Sequence, residues 1–330
     1  MTTCCVECFR DNEIKRRIIQ RGRISFCDCC QAEGGYAISC EDLAAEFSII
    51  SAMYTPVEGG RPLIDLVQQH WMLFSERIGD PASLLLLLFP EGEGKTYAPA
   101  SGGESFVAGW EALRDELKYR NRFFPASAPP SAKIEELLGL LTVRSDDLPR
   151  EYFRARIQHG EDDFAAEQLG APPAKLAKSG RANPDGIPYL YLASDRDTAI
   201  AEVRPSVGDR VALARVRPRG EFNIVDLAAP SLSVSPMRLD MDYIEGFHQA
   251  MDFLTMLSLD LSAPAPPHRV NEYIATQYLC ELIKRIGYKG VRYASSLGPG
   301  KNYAIFEAAA FEIVDDVQFV VVSEVSYVFE

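Results

Sequence analysis

The stretch Ile187-Pro-Tyr-Leu-Tyr-Leu-Ala-Ser-Asp-Arg-Asp-Thr-Ala-Ile-Ala-Glu-Val-Arg204 decides the fold class of this 330-residue chain. Its first part, Ile187 to Ala193, reads as a strand, and Asp197 to Arg204 reads as a short helix. Further strands are predicted at Arg210 to Val216, Phe222 to Leu227, Gly290 to Ser295 and Asn302 to Glu307. The pattern from Val317 to Phe329 is continuous enough to hold two more. Helices are predicted at Met241 to Leu257 and Val270 to Ile286, with Gly287 as a stop. Strands outnumber helices and do not alternate with them regularly, so the class is α+β rather than a doubly wound sheet.

Toward the N-terminus the texture changes. Asp11 to Gln20 reads as a short helix. From Glu41 to about Leu141 the apolar spacing is mainly helical, with Ile64, Leu66, Val67, Trp71, Phe74 and Ile78 close to one broad face. Trp110, Leu113 and Leu117, then Ile134, Leu137, Leu138 and Leu141, suggest further helices. A Pro/Ser-rich break covers 125–131, and a domain boundary is expected near residue 145. The expected organisation is a cysteine-bearing segment over 1–40, a helical domain over 41–145 and a mixed domain over 146–330.

Composition is ordinary for a soluble globular protein, with 47% hydrophobic and 25% charged residues. The longest apolar run, Leu84 to Phe89, is far shorter than the ~20 residues that span a bilayer. Residues 1–6 carry neither a basic nor an apolar leader region, so a cytoplasmic location is expected without a membrane partner. The formal charge is −13, and splitting at Arg150 gives 16 basic against 22 acidic residues, then 18 against 25. Neither half has the basic excess of a nucleic-acid module, although a local arginine pair can still bind phosphate. A homo-oligomer is among the assemblies the sequence allows, and the sequence does not set the oligomeric state.

Six of eight cysteines lie at 4, 5, 8, 27, 29 and 30. Clustered cysteines in a cytosolic chain point to metal ligands rather than disulfides. Cys5-x-x-Cys8 and Cys27-x-x-Cys30 form two knuckles whose four thiolates would close a structural zinc site with no open position for catalysis. The doublets Cys4-Cys5 and Cys29-Cys30 leave the choice of ligands open. Lys15, Arg16, Arg17, Arg21 and Arg23 lie between the knuckles and read as a solvated helix face.

Several motifs fail. Gly92-Glu-Gly94-Lys95-Thr96 suggests a phosphate loop, but the full pattern needs glycine where Phe89 stands. There is no G-x-S-x-G elbow or H-E-x-x-H pair, and the four histidines show no ligand spacing.

The chemistry concentrates in four segments of the C-terminal half. They are Tyr152 to Arg156, Gly180 to Gly186, Tyr189 to Glu202, and Gly290 to Ser296 followed by Gly300 to Tyr303. They hold two separated arginine sites, tyrosines on a strand, a helical carboxylate and a serine ending another strand. Strand alternation puts Tyr189 and Tyr191 on one face. Arginine forks suit a pyrophosphate, tyrosine rings suit a flat heterocycle, and a carboxylate suits ribose hydroxyls and a developing positive charge. Together they suit a dinucleotide such as NAD+ at a site that breaks the nicotinamide–ribose bond, through an oxocarbenium-like state akin to that of glycoside hydrolysis. Nicotinamide is already a cationic leaving group, so a strong general acid is dispensable. Singly, each residue has a plainer reading: Glu202 could pair with Arg204, Arg154 and Arg156 could be surface charges, Tyr191 could be core and Ser295 a turn residue.

The ordered set Arg, Gly-Arg-x-Asn-x-x-Gly, Tyr-x-Ala-Ser, Thr-Ala-x-x-Glu and Ser-Ser resembles the RES domain, from about residue 150 to the C-terminus. The resemblance implies the toxin of a RES–Xre toxin–antitoxin system. It also implies an ADP-ribosyltransferase-like fold with NAD+ in a cleft between two small sheets, and NAD+ destruction as the activity. Carried over, the first arginine is Arg154, although Arg156 could serve. Arg181 matches the Gly-Arg-x-Asn arginine, Tyr191 the tyrosine, Glu202 the glutamate and Ser295 the serine. Arg156, Asn183, Tyr189, Ser296 and Asn302 fall in the same motifs as substrate-binding candidates. The family's tryptophan before the asparagine is Ala182 here, a departure expected to reshape the cleft. The N-terminal knuckles and helices resemble the zinc-bearing, HEPN-related segment found ahead of some RES domains. The R-x4–6-H ribonuclease motif is absent from 1–145, which leaves that segment a structural or regulatory role.

The expected protein is therefore an NAD+-consuming enzyme, a toxin or defence effector that passes ADP-ribose to water or phosphate. Its expected partners are NAD+ and an antitoxin or regulatory protein. An ADP-ribosyltransferase acting on a macromolecule, and a non-catalytic zinc-dependent binding protein, are the alternatives.

Overall fold

The computed structural model describes residues 2–100, 106–128, 131–160, 162–238, 247–263 and 270–326. The chain divides into two compact units, one of residues 1–107 and 230–253, the other of 108–229 and 254–330. Among the described residues, no helix is long and apolar enough to cross a membrane.

The first unit opens on β1 (Thr3–Cys5), α1 (Asn12–Arg21), β2 (Arg23–Ser25) and β3 (Gly35–Ser39). The strands form an antiparallel sheet in the order β1-β3-β2. α1 starts where the sequence indicates, because the Asp11 side chain accepts the N–H of Ile14 at 2.8 Å and caps the first turn. Ile14 and Ile18 bury its inner face. Short helices α2 (Cys40–Ala44) and α3 (Ile49–Met53) follow, then β4 (Tyr54–Pro62), α4 (Leu63–Trp71), α5 (Pro81–Leu88) and β5 (Thr96–Pro99).

β4 and β5 pair antiparallel, a hairpin within a stretch over 41–141 that is otherwise mainly helical, as expected. Their apolar residues are too few and too interrupted by Pro and Gly to show a period of two. α4 also ends sooner than the apolar face suggested. Met72 turns left-handed at φ 47°, so Phe74 and Ile78 reach the core from beyond the helix.

The second unit carries α6 (Phe106–Tyr119, all but its first two residues) and α7 (Ser131–Leu140). It then forms β6 (Thr142–Arg144), β7 (Tyr152–Ile157), β8 (Leu190–Ala193), α8 (Arg196–Glu202), β9 (Arg210–Pro218) and β10 (Asn223–Asp226). After α9 (Pro230–Ser233) of the first unit and α10 (Phe247–Ser262), the chain completes α11 (Ile274–Ile286), β11 (Gly290–Ala294), β12 (Lys301–Ile305) and β13 (Phe311–Val321). Gly287 ends α11 at φ 108°, as its position predicts.

The expected helix over 241–257 and the strand pattern over 317–329 run partly outside the described residues. Within them, that pattern is one strand, not two: β13 starts earlier, at Phe311, and follows β9 along its length with a bulge between Val314 and Gln318.

Eight strands form one sheet in the order β13-β9-β7-β8-β12-β11-β10-β6. Among the described residues, only β10 and β11 run parallel. β7 makes six pairings with β9 but a single one with β8, Phe153 to Ala193. The sheet therefore divides at β7 and β8 into two smaller leaves. Leu190, Leu192, Tyr152, Val216, Tyr303 and Ile305 fill the core on one face, while Ala199 of α8 packs on Ala193 and Leu213. This mixed architecture agrees with the α+β class.

Across the parallel pair, Asp226 and Arg292 stand directly opposite and form a buried ion pair, with Arg292 Nε donating to Asp226 Oδ1 at 2.8 Å. Replacing Asp226 by Ala leaves a buried guanidinium uncompensated, and a loss of about 3–5 kcal/mol is expected. Urea denaturation checks this, and the double change to leucines should recover much of the loss because no charge then stays buried.

Candidate functional site

A cleft of about 380 Å³ opens where β7 and β8 part. Its lining includes Arg154, Gly180, Arg181, Tyr191, Glu202, Tyr273, Tyr293 and Asn302, all within the second unit.

Arg154 projects from β7. Beyond the Phe153–Ala193 pairing the two backbones no longer meet, and the Arg154 guanidinium bridges the gap. Its Nη1 donates to the Tyr191 carbonyl at 2.8 Å. Its Nε is buried and finds no partner among the described residues. Burial, reinforced by the neighbouring Arg156 charge, lowers its pKa to about 10. A half-buried cation whose buried Nε N–H is unmet favours an anion in the cleft.

Arg181 reaches the same cleft from the loop before β8. It is steadied by Nη1 donating to the Ser262 carbonyl at 2.6 Å and Nη2 to Ser296 Oγ at 3.3 Å. Tyr191 lies on the cleft-facing side of β8. Its hydroxyl donates to Asn183 Oδ1 at 2.6 Å and accepts the Ala182 N–H at 3.2 Å. Burial raises its pKa, so the phenol stays protonated.

Glu202 is the last residue of α8. That helix is capped by Asp195, which accepts the Thr198 N–H at 2.8 Å. Gly300 packs so tightly against this cap that a Cβ there would stand 2.0 Å from Asp195 Oδ2. The Ser295 hydroxyl and the Asn302 amide both donate to Glu202 Oε1, each at 2.6 Å. Oε2 takes no hydrogen bond among the described residues. Ser295 Oγ also accepts the N–H groups of Leu297 at 3.1 Å and Gly298 at 3.0 Å. Its one proton is thus committed to Glu202 and its lone pairs to the backbone. The plainer reading of Glu202, a local pair with Arg204, is not what the carboxylate makes.

Other candidates lie elsewhere. Arg156 is exposed, donates to the Gln168 carbonyl at 2.7 Å and sits 5.2 Å from the Phe164 ring, outside the cleft lining. Tyr189 precedes β8 and is buried with its hydroxyl on Glu281 of α11. Asn183 is buried and ties its own loop to the carbonyls of Lys178, Pro184 and Ile187. Ser296 touches the cleft only through Arg181. Ala182, expected to reshape the cleft, is buried beside it and does not line it.

Two tyrosines of the lining escaped the sequence reading as site residues. Tyr293 lies on β11 opposite Asn302, and strand register could have found it. Tyr273 precedes α11 and reaches the cleft only through the tertiary fold.

In the first unit, the knuckles bring Cys5, Cys8, Cys27 and Cys30 together, with sulfurs within 4.8 Å of one another. Three separations are 3.5 to 3.9 Å, close to the spacing of about 3.8 Å that thiolates take around a tetrahedral ion at about 2.3 Å. The backbone N–H of Cys30 points at Cys27 Sγ, at 3.5 Å. This quartet could hold a metal ion. Burial first, and then Cys30, push the Cys5 thiol up to about 12, so a cation would be needed to hold it as a thiolate. Cys4 and Cys29 instead lie beside Cys40, so the quartet that comes together takes one cysteine from each doublet.

No curated protein matches the chain. Among solved structures, it is similar to a chain of the crystal structure of the M. tuberculosis MbcT–MbcA toxin–antitoxin complex, at 15% identity and a TM-score of 0.33, covering 57% of this chain and 92% of that one. The model of the RES domain family matches residues 152–330, more than half of the sequence, from the first residue of β7 onward. The chain belongs to the RES domain family.

Proposed function

We propose that the protein consumes NAD+, breaking the nicotinamide–ribose bond and passing ADP-ribose to water. The observation that carries this reading is the lining of one cleft by Arg154, Arg181, Tyr191 and Glu202, in a chain of the RES family. Arg154 and Arg181 hold the pyrophosphate, which supplies the anion that the buried Arg154 Nε lacks. Tyr191, and Tyr293 beside it, offer rings to the nicotinamide end. Glu202 Oε2 orients the ribose and stabilises positive charge as the bond to nicotinamide lengthens. The electron pair leaves with neutral nicotinamide, and water closes on C1′ with loss of one proton. Ser295 and Asn302 hold Glu202 and serve the reaction through it.

In this reading the divided sheet is an ADP-ribosyltransferase-like core over 146–330. Residues 41–145 form a HEPN-related segment, and 1–40 a knuckle in which Cys5, Cys8, Cys27 and Cys30 hold zinc as a structural staple. The protein works in the cytoplasm as a toxin or defence effector restrained by an antitoxin or regulatory protein.

Incubation with NAD+ should release nicotinamide, followed by chromatography, and no release by the wild-type protein would overturn the proposal. NAD+ labelled in its adenosine separates the acceptors. Label in free ADP-ribose indicates water, label in ADP-ribose 1″-phosphate indicates phosphate, and label on a macromolecule indicates a transferase.

Gly180→Ala offers a sharper probe of the cleft. A Cβ there would stand 2.6 Å from Asn183 Oδ1 and 2.7 Å from the Tyr191 hydroxyl, displacing the ring. Nicotinamide release should fall by about tenfold or more, as expected when a positioning group moves by about 1 Å. A variant with unchanged kinetics would remove Tyr191 from the proposed site.

A further inference from the structure

The C-terminal end of α6 displays Tyr119, Phe123 and Phe124 at 69%, 83% and 83% exposure. Single exposed apolar residues are ordinary, but three aromatics within six positions form a patch. The turn that carries them is built rather than loose. Glu116 accepts the N–H groups of Ala126 at 2.9 Å and Ser127 at 2.8 Å, and Asn121 Oδ1 accepts the N–H of Phe124 at 3.2 Å. Both phenylalanines are thus held out on a fixed backbone, and little conformational freedom remains to be lost on binding.

The charges beside them are ordered along the helix. Glu111 and Asp115 lie exposed on the same stripe as Tyr119, and Arg120 and Arg122 lie exposed at its end. Among the described residues, none of these four charges makes an ion pair. The exposed stripe therefore runs from acidic to basic and closes on aromatics. Such a surface is self-complementary. When two copies meet antiparallel across a two-fold axis, each acidic half faces the other's arginines, and the aromatics bury against the partner helix.

We propose that this end of α6 is the centre of an isologous contact between two copies of the chain. The contact is independent of the NAD+ reading. Sedimentation velocity of the full chain should show a species of twice the 36.6 kDa chain mass. Phe123→Ser with Phe124→Ser should weaken it by roughly 30-fold or more, as loss of a buried aromatic anchor does, with an unchanged circular dichroism spectrum. Reversing Arg120 and Arg122 to Glu should dissociate the pair, and adding Glu111→Arg with Asp115→Arg should restore it. A monomer at every concentration overturns the proposal, as does a dimer indifferent to both sets of changes. Sedimentation of a monomer with anionic vesicles would assign the turn to a membrane surface instead.

Discussion

Glu202→Gln is expected to slow nicotinamide release by roughly 100- to 1000-fold, the range lost when one preorganised group aimed at a developing charge is removed. The substitution is chosen to leave the local structure intact. Ser295 and Asn302 both donate to Oε1, and a glutamine oxygen in that place accepts the same two bonds. Only the charge toward the cleft changes, because an amide nitrogen then replaces Oε2. NAD+ affinity should hold, since the pyrophosphate contacts lie on Arg154 and Arg181. Single-turnover rates together with equilibrium binding of NAD+ check this. Ser295→Ala should behave differently: the carboxylate remains but loses one of its two restraints, so a smaller loss of about tenfold is expected. Equal rates in wild type and Glu202→Gln would remove the carboxylate from the chemistry. A Ser295→Ala loss as deep as that of Glu202→Gln would give the serine a direct role.

Loss of the proposed zinc ion should have the second-largest effect. The purified chain is expected to carry one zinc ion, measured by elemental analysis, and Cys8→Ser should abolish it. β1, β2 and β3 have only three to five residues each, too little to hold a fold by their own contacts. Structural zinc supplies about 10–16 kcal/mol in isolated fingers, so residues 3–39 should lose hydrogen-exchange protection once the ion is chelated. Cys29→Ser is the control. Cys29 lies beside Cys40, so this variant should keep its zinc. Loss of zinc from Cys29→Ser, with retention in Cys8→Ser, would reassign the ligands.

Much of the architecture was legible because it is local. The Asp11 cap, the Gly287 stop and the strands at Arg210, Phe222 and Gly290 each depend on a handful of consecutive residues. So does the pairing of the knuckles, since a Cys-x-x-Cys turn aims two sulfurs at one point wherever it occurs. What stayed hidden depended on partners far along the chain. β4, β5 and β6 are strands because of what they pair with, and β7 was visible as a run of arginines and aromatics but not as the strand that borders the cleft. Tyr189 and Tyr191 illustrate the limit well. They are two residues apart and alike in chemistry, yet one is buried on Glu281 and the other lines the cleft.

The sequence by itself determined the α+β class, the cysteine quartet as a candidate metal site, and Arg154, Arg181, Tyr191, Glu202 and Ser295 as residues to watch. Only the tertiary structure decided that the sheet parts after one pairing between β7 and β8, and that the Arg154 side chain occupies the gap. It likewise decided that Ser295 and Asn302, 93 and 100 positions beyond Glu202, restrain one oxygen of its carboxylate. The reason is physical. Caps, turns and periodicity are set by neighbours in sequence, whereas a hydrogen bond between residues so far apart exists only after the sheet has brought β11 and β12 beside α8.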